Sequence, residues 1–306
     1  MIYFYNSILK LGYYTSFNLE TRLHCPNKEE KLDSRIPEFR EIFKELRDQQ
    51  FFLESCKLNE NKEKKYSSNS EKIYKLTWIY VITATASDRP VQIAEMTRLS
   101  QTLKSVPRLH WIVVEDSVVK TDKIKRLLER SQISNTHLAV NGDTNDEHVG
   151  MHQRNAGLEW IRNADTIQKP GVVYFADDDN VYHIELFEQI RRVKTVGVSP
   201  VAFVGFMTVE SPIVCGRHIM DWDILWNKRN RKFPVDMAGL SVHLDLVLMI
   251  DAKFERKNCY KNLPYEECFL MQLGISVQDL EPIGMKIDEE YKIREVMVWH
   301  TQTKIL

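Results

Sequence analysis

From residue 75 onward, short apolar runs alternate with segments of helical periodicity. The runs that predict strands are Leu76–Ile82, His110–Val114, Thr136–Val140 and Gly171–Phe175. After the first of them, Asp88-Arg89-Pro90 predicts a helix start, with an inner face formed by Val91, Ala94, Leu99 and Leu103. Strands that alternate with helices are typical of βαβ units, so the pattern predicts an α/β fold with a largely parallel sheet.

The first 74 residues follow a different pattern. Apolar residues at heptad-like spacing predict one amphipathic helix: Ile36, Phe39, Phe43, Leu46 and Leu53. This stripe fits packing on the domain as well as dimerisation. Residues 57–72 are charged and serine-rich, which is typical of a linker. We therefore expect an N-terminal stem with helix and linker over 1–74, and a folded domain over 75–306.

Three consecutive aspartates, Asp177, Asp178 and Asp179, follow the apolar run Gly171–Phe175. In open α/β sheets, ligands bind beyond the carboxyl ends of the strands, so this position favours a binding site. The acids by themselves fit a solvated loop equally well, and a structural Ca²⁺ loop is a weaker alternative.

Composition narrows the classes of function. The chain has 306 residues, 43% hydrophobic and 28% charged, with a net charge of −1, which is typical of a globular protein and excludes a general nucleic-acid binder. Its five cysteines form no CxxC pair, which argues against a zinc site and leaves the redox compartment open. No run of 18 apolar residues predicts a membrane span, and the N-terminus has no clear signal-peptide pattern.

Several segments, in order, resemble one family of enzymes. They are RLSQTL (98–103), PRLHWIVVED (107–116), HQRNAGLEW (152–160), VVYFADDDN (172–180), FPVDMAGLSV (233–242), DLEP (279–282) and VWHT (298–301). Together they resemble glycosyltransferase family 43, the β-1,3-glucuronosyltransferases, over roughly 75–303. The resemblance implies the GT-A nucleotide-sugar transferase fold, with a Rossmann-like donor half (75–195) and a mixed acceptor half (196–306).

The same resemblance implies an activity and its partners. Glucuronic acid would pass from UDP-glucuronate to a terminal galactose of a glycan or proteoglycan, with inversion, in building the glycosaminoglycan linker. It also implies a Golgi-lumenal location and a homodimer; the family's N-terminal membrane anchor is not visible in this sequence.

The resemblance implies a role for each of several residues at the donor site. Asp179 matches the metal ligand, for Mn²⁺ or Mg²⁺, which prefer carboxylate and phosphate oxygens. Asp177 and Asp178 match nucleotide-sugar contacts, and Asp116 matches the contact to uracil. Arg154 and His300 match contacts to the donor and its diphosphate. By themselves, these last two fit an exposed helix arginine and a packed histidine.

On the acceptor side, Glu266 matches the catalytic base, because a sugar hydroxyl must lose its proton as it attacks. Its neighbour Glu267 is a one-residue alternative. The remaining matches are sugar contacts: Glu210, Arg231, Asp236 and, in a loop one residue longer than the family's, the aromatic Trp226.

Four positions depart from the family pattern: Ala84, Ala86, Val149 and Gln302. The tyrosine expected to stack on uracil is missing in Thr83-Ala84-Thr85-Ala86, and two arginines are replaced by Val149 and Gln302. These losses motivate an alternative, a catalytically degenerate paralogue that binds nucleotide or glycan.

Overall fold

The computed structural model describes residues 77–142, 150–215, 218–225, 231–256, 259, 263–287 and 292–304. The helix and linker predicted within 1–74 lie outside these residues, as do Val149 and Trp226. The domain boundary at 74/75 therefore stays a prediction.

Fourteen strands and six α-helices make up the described part. The strands are β1 (Trp78–Ala86), β2 (Leu109–Asp116), β3 (Ser134–Ala139), β4 (Gly171–Phe175), β5 (Val181–Tyr182), β6 (Val196–Val198), β7 (Val201–Val204), β8 (Met207–Cys215), β9 (His218–Asp223), β10 (Leu240–His243), β11 (Leu280–Pro282), β12 (Met285–Ile287), β13 (Lys292–Arg294) and β14 (Val298–Trp299). The helices are α1 (Gln92–Leu103), α2 (Asp122–Ser131), α3 (Met151–Asn163), α4 (Ile184–Ile190), α5 (Leu244–Met249) and α6 (Tyr265–Gln272).

The main sheet of the described residues has seven strands in the order β11-β6-β10-β4-β1-β2-β3. The four strands β1 to β4 are parallel neighbours, with β1 between β2 and β4. The antiparallel strand β10 joins β4 to β6. The α/β fold class is confirmed, and segments from both predicted halves contribute to this one sheet.

Period-two alternation in the strands builds a core on each face of the sheet. In β1, Ile79 and Val81 face one core, with α1, α2 and α4, while Tyr80 and Ile82 face the other, with α3, α5 and α6. Strand β4 is buried at every position. A central strand covered on both sides reads as an unbroken apolar run, which is why the sequence in front of the aspartates has this form.

The inner face of α1 differs from the predicted one. Gln92, Glu95 and Met96 are buried along with Leu99 and Leu103, whereas Ala94 is exposed. A prediction from hydrophobicity alone misplaces the N-terminal part of this buried face. The reason is that two polar residues, Gln92 and Glu95, are buried there and face the site described below.

A second sheet, in the order β5-β14-β7-β8-β9, positions two of the later predicted site residues. Glu210 lies in β8, and His300 directly follows β14 and donates its backbone N–H to the Ala202 carbonyl at 3.0 Å. Among the described residues, no helix is both long and apolar enough to span a bilayer.

Candidate active site

The carboxyl ends of β1, β2 and β4 meet at one cleft of about 250 Å³. Its lining includes all six donor and metal residues predicted from the sequence, together with Arg89 and residues from β1 and the start of α3: Ala84, Thr85, Ala86, Arg89, Asp116, Gly150, Gln153, Arg154, Asp177, Asp178, Asp179 and His300. Parallel strands end on the same side of a sheet, so residues far apart in sequence converge here.

Asp178 is buried and is held by the protein itself. Thr85 Oγ1 donates to Asp178 Oδ2 at 2.6 Å, and Arg89 Nη1 donates to Asp178 Oδ1 at 2.7 Å. Gln92 Nε2 in turn donates to Thr85 Oγ1 at 3.0 Å. Burial raises the pKa of Asp178, although Thr85 and Arg89 oppose this shift. With both carboxylate oxygens bonded, Asp178 shapes the cleft and positions its neighbours.

Asp177 pairs with Arg154 of α3, whose Nη2 donates to Asp177 Oδ1. The geometry depends on Gly150, the residue before α3, which has φ of 89°. An added Cβ at Gly150 would lie 2.6 Å from Arg154 Nη1, so a larger residue would displace the guanidinium. Arg154 is thereby aimed into the cleft, where its fork can meet an anionic group of a ligand.

Asp179 has the chemistry of a divalent-cation ligand. Among the described residues its carboxylate accepts no hydrogen bond, and its nearest cation is Arg89 Nη2 at 3.9 Å. Burial, with the charges of Asp177 and Asp178, raises the pKa of Asp179 to about 6. This excess of negative charge fits one cation bound by a single carboxylate, with the phosphates of a ligand and water completing the shell. No group of three or more His, Cys, Asp or Glu side chains in the described part forms a metal cluster by itself.

The adjacent acids at the end of β2 have separate roles. Glu115 is buried and accepts from the Thr121 backbone N–H at 2.9 Å and from His137 Nε2 at 3.0 Å, so it anchors the start of α2 and strand β3. Asp116 lines the cleft, and its Oδ1 accepts from the Gly142 N–H at 2.8 Å. The residue predicted to contact uracil is thus the one that faces the cleft.

His300 links the cleft to the acceptor-side residues. Its Nε2 lies 3.1 Å from Asp236 Oδ1. Although burial acts to lower it, the hydrogen bond and charge of Asp236, with the charges of Asp177 and Asp179, raise the pKa of His300. Asp236 also accepts from the Ala238 N–H at 2.9 Å, which fixes its carboxylate at the start of a short 3₁₀ turn.

The two glutamates at the start of α6 face different surroundings. Glu267 is buried, accepts from the Lys232 N–H at 2.6 Å, and lies 3.6 Å from Arg231 Nε. Burial raises the pKa of Glu266 despite its own backbone N–H; the charge of Asp236 adds to this, and Arg154 and Arg231 oppose it. Glu266 is thus within electrostatic range of Asp236, Arg154 and Arg231, whereas Glu267 fastens the 231–232 segment.

Glu210 and Arg231 complete the acceptor-side group. Burial and the charge of Asp236 raise the pKa of Glu210, while Arg231 and His300 oppose it. Arg231 Nη2 donates to the Val235 carbonyl at 3.1 Å. Glu210 and Glu266 are therefore each within electrostatic range of Arg231 and Asp236.

Sequence reasoning missed the network around Arg89. This residue pairs with the buried Glu95 of α1 as well as with Asp178, whereas the sequence predicts it only as part of a helix start. A usable signal was the pair of polar residues, Gln92 and Glu95, on a face that helical spacing turns inward. Ala84 and Ala86 line the cleft as expected, while Gln302 is exposed.

A disulfide joins Cys259 to Cys268 of α6, two residues after Glu266. The sequence alone does not decide whether any of the five cysteines form disulfides. The Cys259–Cys268 bond links α6, which carries the candidate base Glu266, to the segment before it.

Comparison with known proteins gives concordant matches. The model of glycosyltransferase family 43 matches residues 99–304. The chain is 40% identical over 242 residues to galactosylgalactosylxylosylprotein 3-beta-glucuronosyltransferase 1 of Homo sapiens, covering 75% of this chain and 70% of the relative. It is 39% identical over 236 residues to galactosylgalactosylxylosylprotein 3-beta-glucuronosyltransferase 2 of Homo sapiens, with the same coverage. The crystal structure of S. aureus TarS 1-349 aligns at 14% identity and a TM-score of 0.46, over 74% of this chain and 60% of that chain.

Proposed function

The chain belongs to glycosyltransferase family 43 and is a glycosyltransferase, and from this premise we propose that it transfers glucuronic acid from UDP-glucuronate to a terminal galactose in a β-1,3 linkage. Its α/β architecture agrees with the GT-A fold that the resemblance implies. The observation that carries the proposal is the convergence of Asp116, Arg154, the aspartate triplet and His300 on one cleft.

In this proposal the chain's own residues bind and orient the donor. Asp116 accepts a hydrogen bond from uracil, and Arg154 exchanges its contact with Asp177 for an anionic group of the donor. His300 has a raised pKa and a partner in Asp236, which favours its cationic form beside the diphosphate. A Mn²⁺ or Mg²⁺ ion held by Asp179 would neutralise the UDP leaving group.

Glu266 is the proposed base. Burial raises its pKa, which makes the carboxylate a better proton acceptor than an ordinary glutamate. It takes the proton from the galactose hydroxyl as the oxygen attacks the anomeric carbon and UDP leaves. A β-linked product from an α-linked donor requires one displacement, so one base is sufficient.

The experiment is to incubate the protein with UDP-glucuronate, Mn²⁺ and a galactosyl-galactose glycoside, and to measure UDP release and the product linkage by NMR. We expect a β-1,3-linked glucuronide, with release abolished by a chelator and by Asp179→Asn. Calorimetry should show that Asp179→Asn loses the Mn²⁺-dependent part of UDP binding. Folded protein that gives no product at high donor concentration would refute the proposal.

The second candidate is a catalytically degenerate paralogue that binds nucleotide or glycan. Ala84 and Ala86 favour it, because their side chains line the cleft where the resemblance expects an aromatic ring to stack on uracil. Loss of such stacking costs on the order of 1 kcal/mol. UDP binding without turnover would favour this candidate, and turnover with a high donor KM would favour the enzyme.

The compartment and assembly extend the proposal. The Cys259–Cys268 disulfide supports an oxidising compartment, in agreement with the Golgi lumen and with proteoglycan-linker synthesis. Pairing of two copies stays a prediction from the resemblance, and sedimentation velocity measures it directly.

A further inference from the structure

The turn between β7 and β8 has an unusual composition. Val204 pairs with Met207, so Gly205 and Phe206 alone form a two-residue hairpin turn. Both have positive φ, 61° and 65°, as a type I′ turn requires. This turn normally takes Asn-Gly or Gly-Gly, and an aromatic residue at positive φ is uncommon because its Cβ crowds the backbone.

The Phe206 ring is fully exposed, with a relative accessibility of 101%. The residue thus has an unfavourable backbone conformation and gains no burial in exchange. Unfavourable conformations of this kind concentrate at ligand sites, where a side chain is held ready for a partner. The neighbouring Phe203 also has positive φ, 61°, and is 60% exposed.

The turn is in contact with the acceptor side of the site. A Cβ added to Gly205 would lie 1.8 Å from Glu210 Oε1, so the Glu210 carboxylate packs directly on the turn backbone. Glu210 in turn is within electrostatic range of Asp236 and His300. His300 in the cleft thus hydrogen-bonds Asp236, and the charges of both act on Glu210, which packs on the turn that carries Phe206.

We propose that Phe206 determines acceptor specificity by stacking on the apolar face of the sugar next to the reacting galactose. This inference rests on the function proposed above and on the resemblance, which implies that Glu210 and Asp236 contact the sugars. A pyranose presents C–H groups on one face, and an exposed aromatic ring, which has only two rotatable side-chain bonds, covers that face with little loss of conformational freedom. The ring would thus select acceptors of two sugars over a single galactose.

The test compares KM and kcat for galactosyl-galactose and for a simple galactose glycoside. In Phe206→Ala we expect KM for the disaccharide to rise about tenfold with kcat unchanged, while KM for the monosaccharide stays the same. Phe206→Trp should keep the preference, whereas Phe206→Leu should lose it, which separates stacking from general hydrophobicity. Phe206→Gly relaxes the backbone and removes the ring, so it should behave as Phe206→Ala does.

Met249→Ala is the matched control, because Met249 is 82% exposed and lies at the end of α5, outside the site. It should leave both acceptors unchanged. Equal effects of Phe206→Ala on the two acceptors, or no effect on either, would overturn the inference. A change of oligomeric state in Phe206→Ala would also overturn the inference, because the turn between β7 and β8 would then be a contact between copies of the chain.

Binding separates this inference from the proposed function. Titration of galactosyl-galactose into protein saturated with UDP and Mn²⁺, followed by NMR, reports acceptor affinity without turnover. If the wild type binds the disaccharide more tightly than the monosaccharide and Phe206→Ala removes that difference, the inference holds even where no transfer occurs. If the difference is absent, the inference is wrong whatever the activity.

Discussion

Adjacent acids at this site differ in role because their partners differ. Glu266 faces the charges of the cleft, while Glu267 is fixed by the 231–232 segment. The same separation occurs at Glu115, which anchors α2, and Asp116, which lines the cleft. In each pair, one carboxylate maintains the structure so that the other is available to a ligand.

Substitutions at the pair should separate activity from stability. Glu266→Gln should lower kcat by ~10²–10⁴-fold, the usual contribution of a general base. Glu267→Gln weakens the buried contact with Arg231 and should lower the free energy of unfolding by about 1–3 kcal/mol, with a much smaller effect on kcat. Steady-state kinetics and chemical denaturation measure both. A large loss of kcat in Glu267→Gln, with a loss of stability but little loss of kcat in Glu266→Gln, would make Glu267 the base.

The pH dependence of stability provides a test specific to Glu266. Its pKa in the folded state is raised above the ordinary 4.5, so between the two values the folded protein binds more protons than the unfolded chain. The free energy of unfolding should therefore fall as pH rises through the raised pKa. Glu266→Gln should lack this fall and should be at least as stable as the wild type at neutral pH. Melting temperatures of both proteins across pH measure it, and parallel curves would contradict the prediction.

At the scale of elements, the start of α3 positions Arg154, and the disulfide at α6 constrains the helix that carries Glu266. Helix α3 brings Arg154 to the cleft, and the preceding Gly150, at positive φ, leaves room for its guanidinium. Helix α6 carries Glu266, and its Cys268 is covalently tied to Cys259.

Gly150→Ala should weaken donor binding as well as the fold. Positive φ costs alanine roughly 1–2 kcal/mol, and the new Cβ displaces Arg154 from Asp177. Gly274→Ala is the matched control, because Gly274 also has positive φ, 69°, with nothing within 4 Å of an added Cβ. Both variants should lose stability in thermal melts, but only Gly150→Ala should weaken UDP binding in calorimetry. Equal UDP affinities in the two variants would contradict this role for Gly150.

Removal of the disulfide should lower stability. The bond joins residues 9 apart in sequence, and closing a loop of that size is worth about 2–3 kcal/mol. Paired replacement of Cys259 and Cys268 by alanine should lower the free energy of unfolding by this amount, measured by denaturant titration. Wild-type protein unfolded under reducing conditions should show the same loss; a reduced wild type as stable as the oxidised one would argue against the bond.

At the scale of the whole molecule, one seven-stranded sheet unites the predicted donor and acceptor halves. Strands β6, β10 and β11 come from the second half and extend the parallel strands of the first. The cleft at the carboxyl ends of the parallel strands therefore belongs to a sheet to which both predicted halves contribute.

The predicted boundary at 74/75 is testable by truncation. Residues 75–306 alone should fold, because the cores on both faces of the sheet are built from residues within this range. We expect cooperative melting and the UDP affinity of the full chain. An aggregated fragment, or a large loss of UDP affinity, would show that the first 74 residues belong to the folded unit.

The sequence by itself, through its resemblance to a family, pointed to the aspartates that line the cleft, and its apolar pattern determined the α/β fold class and the four parallel strands β1 to β4. Local patterns suffice for these, because apolar periodicity specifies strands and helices, and a run such as Gly171–Phe175 ending in acids marks the end of a central strand. Only the tertiary structure decided which neighbouring carboxylate faces the cleft, that Arg89 holds Asp178, and that the turn at Phe206 lies against Glu210. These depend on contacts such as Arg89 with Asp178, 89 residues apart, which only packing brings together.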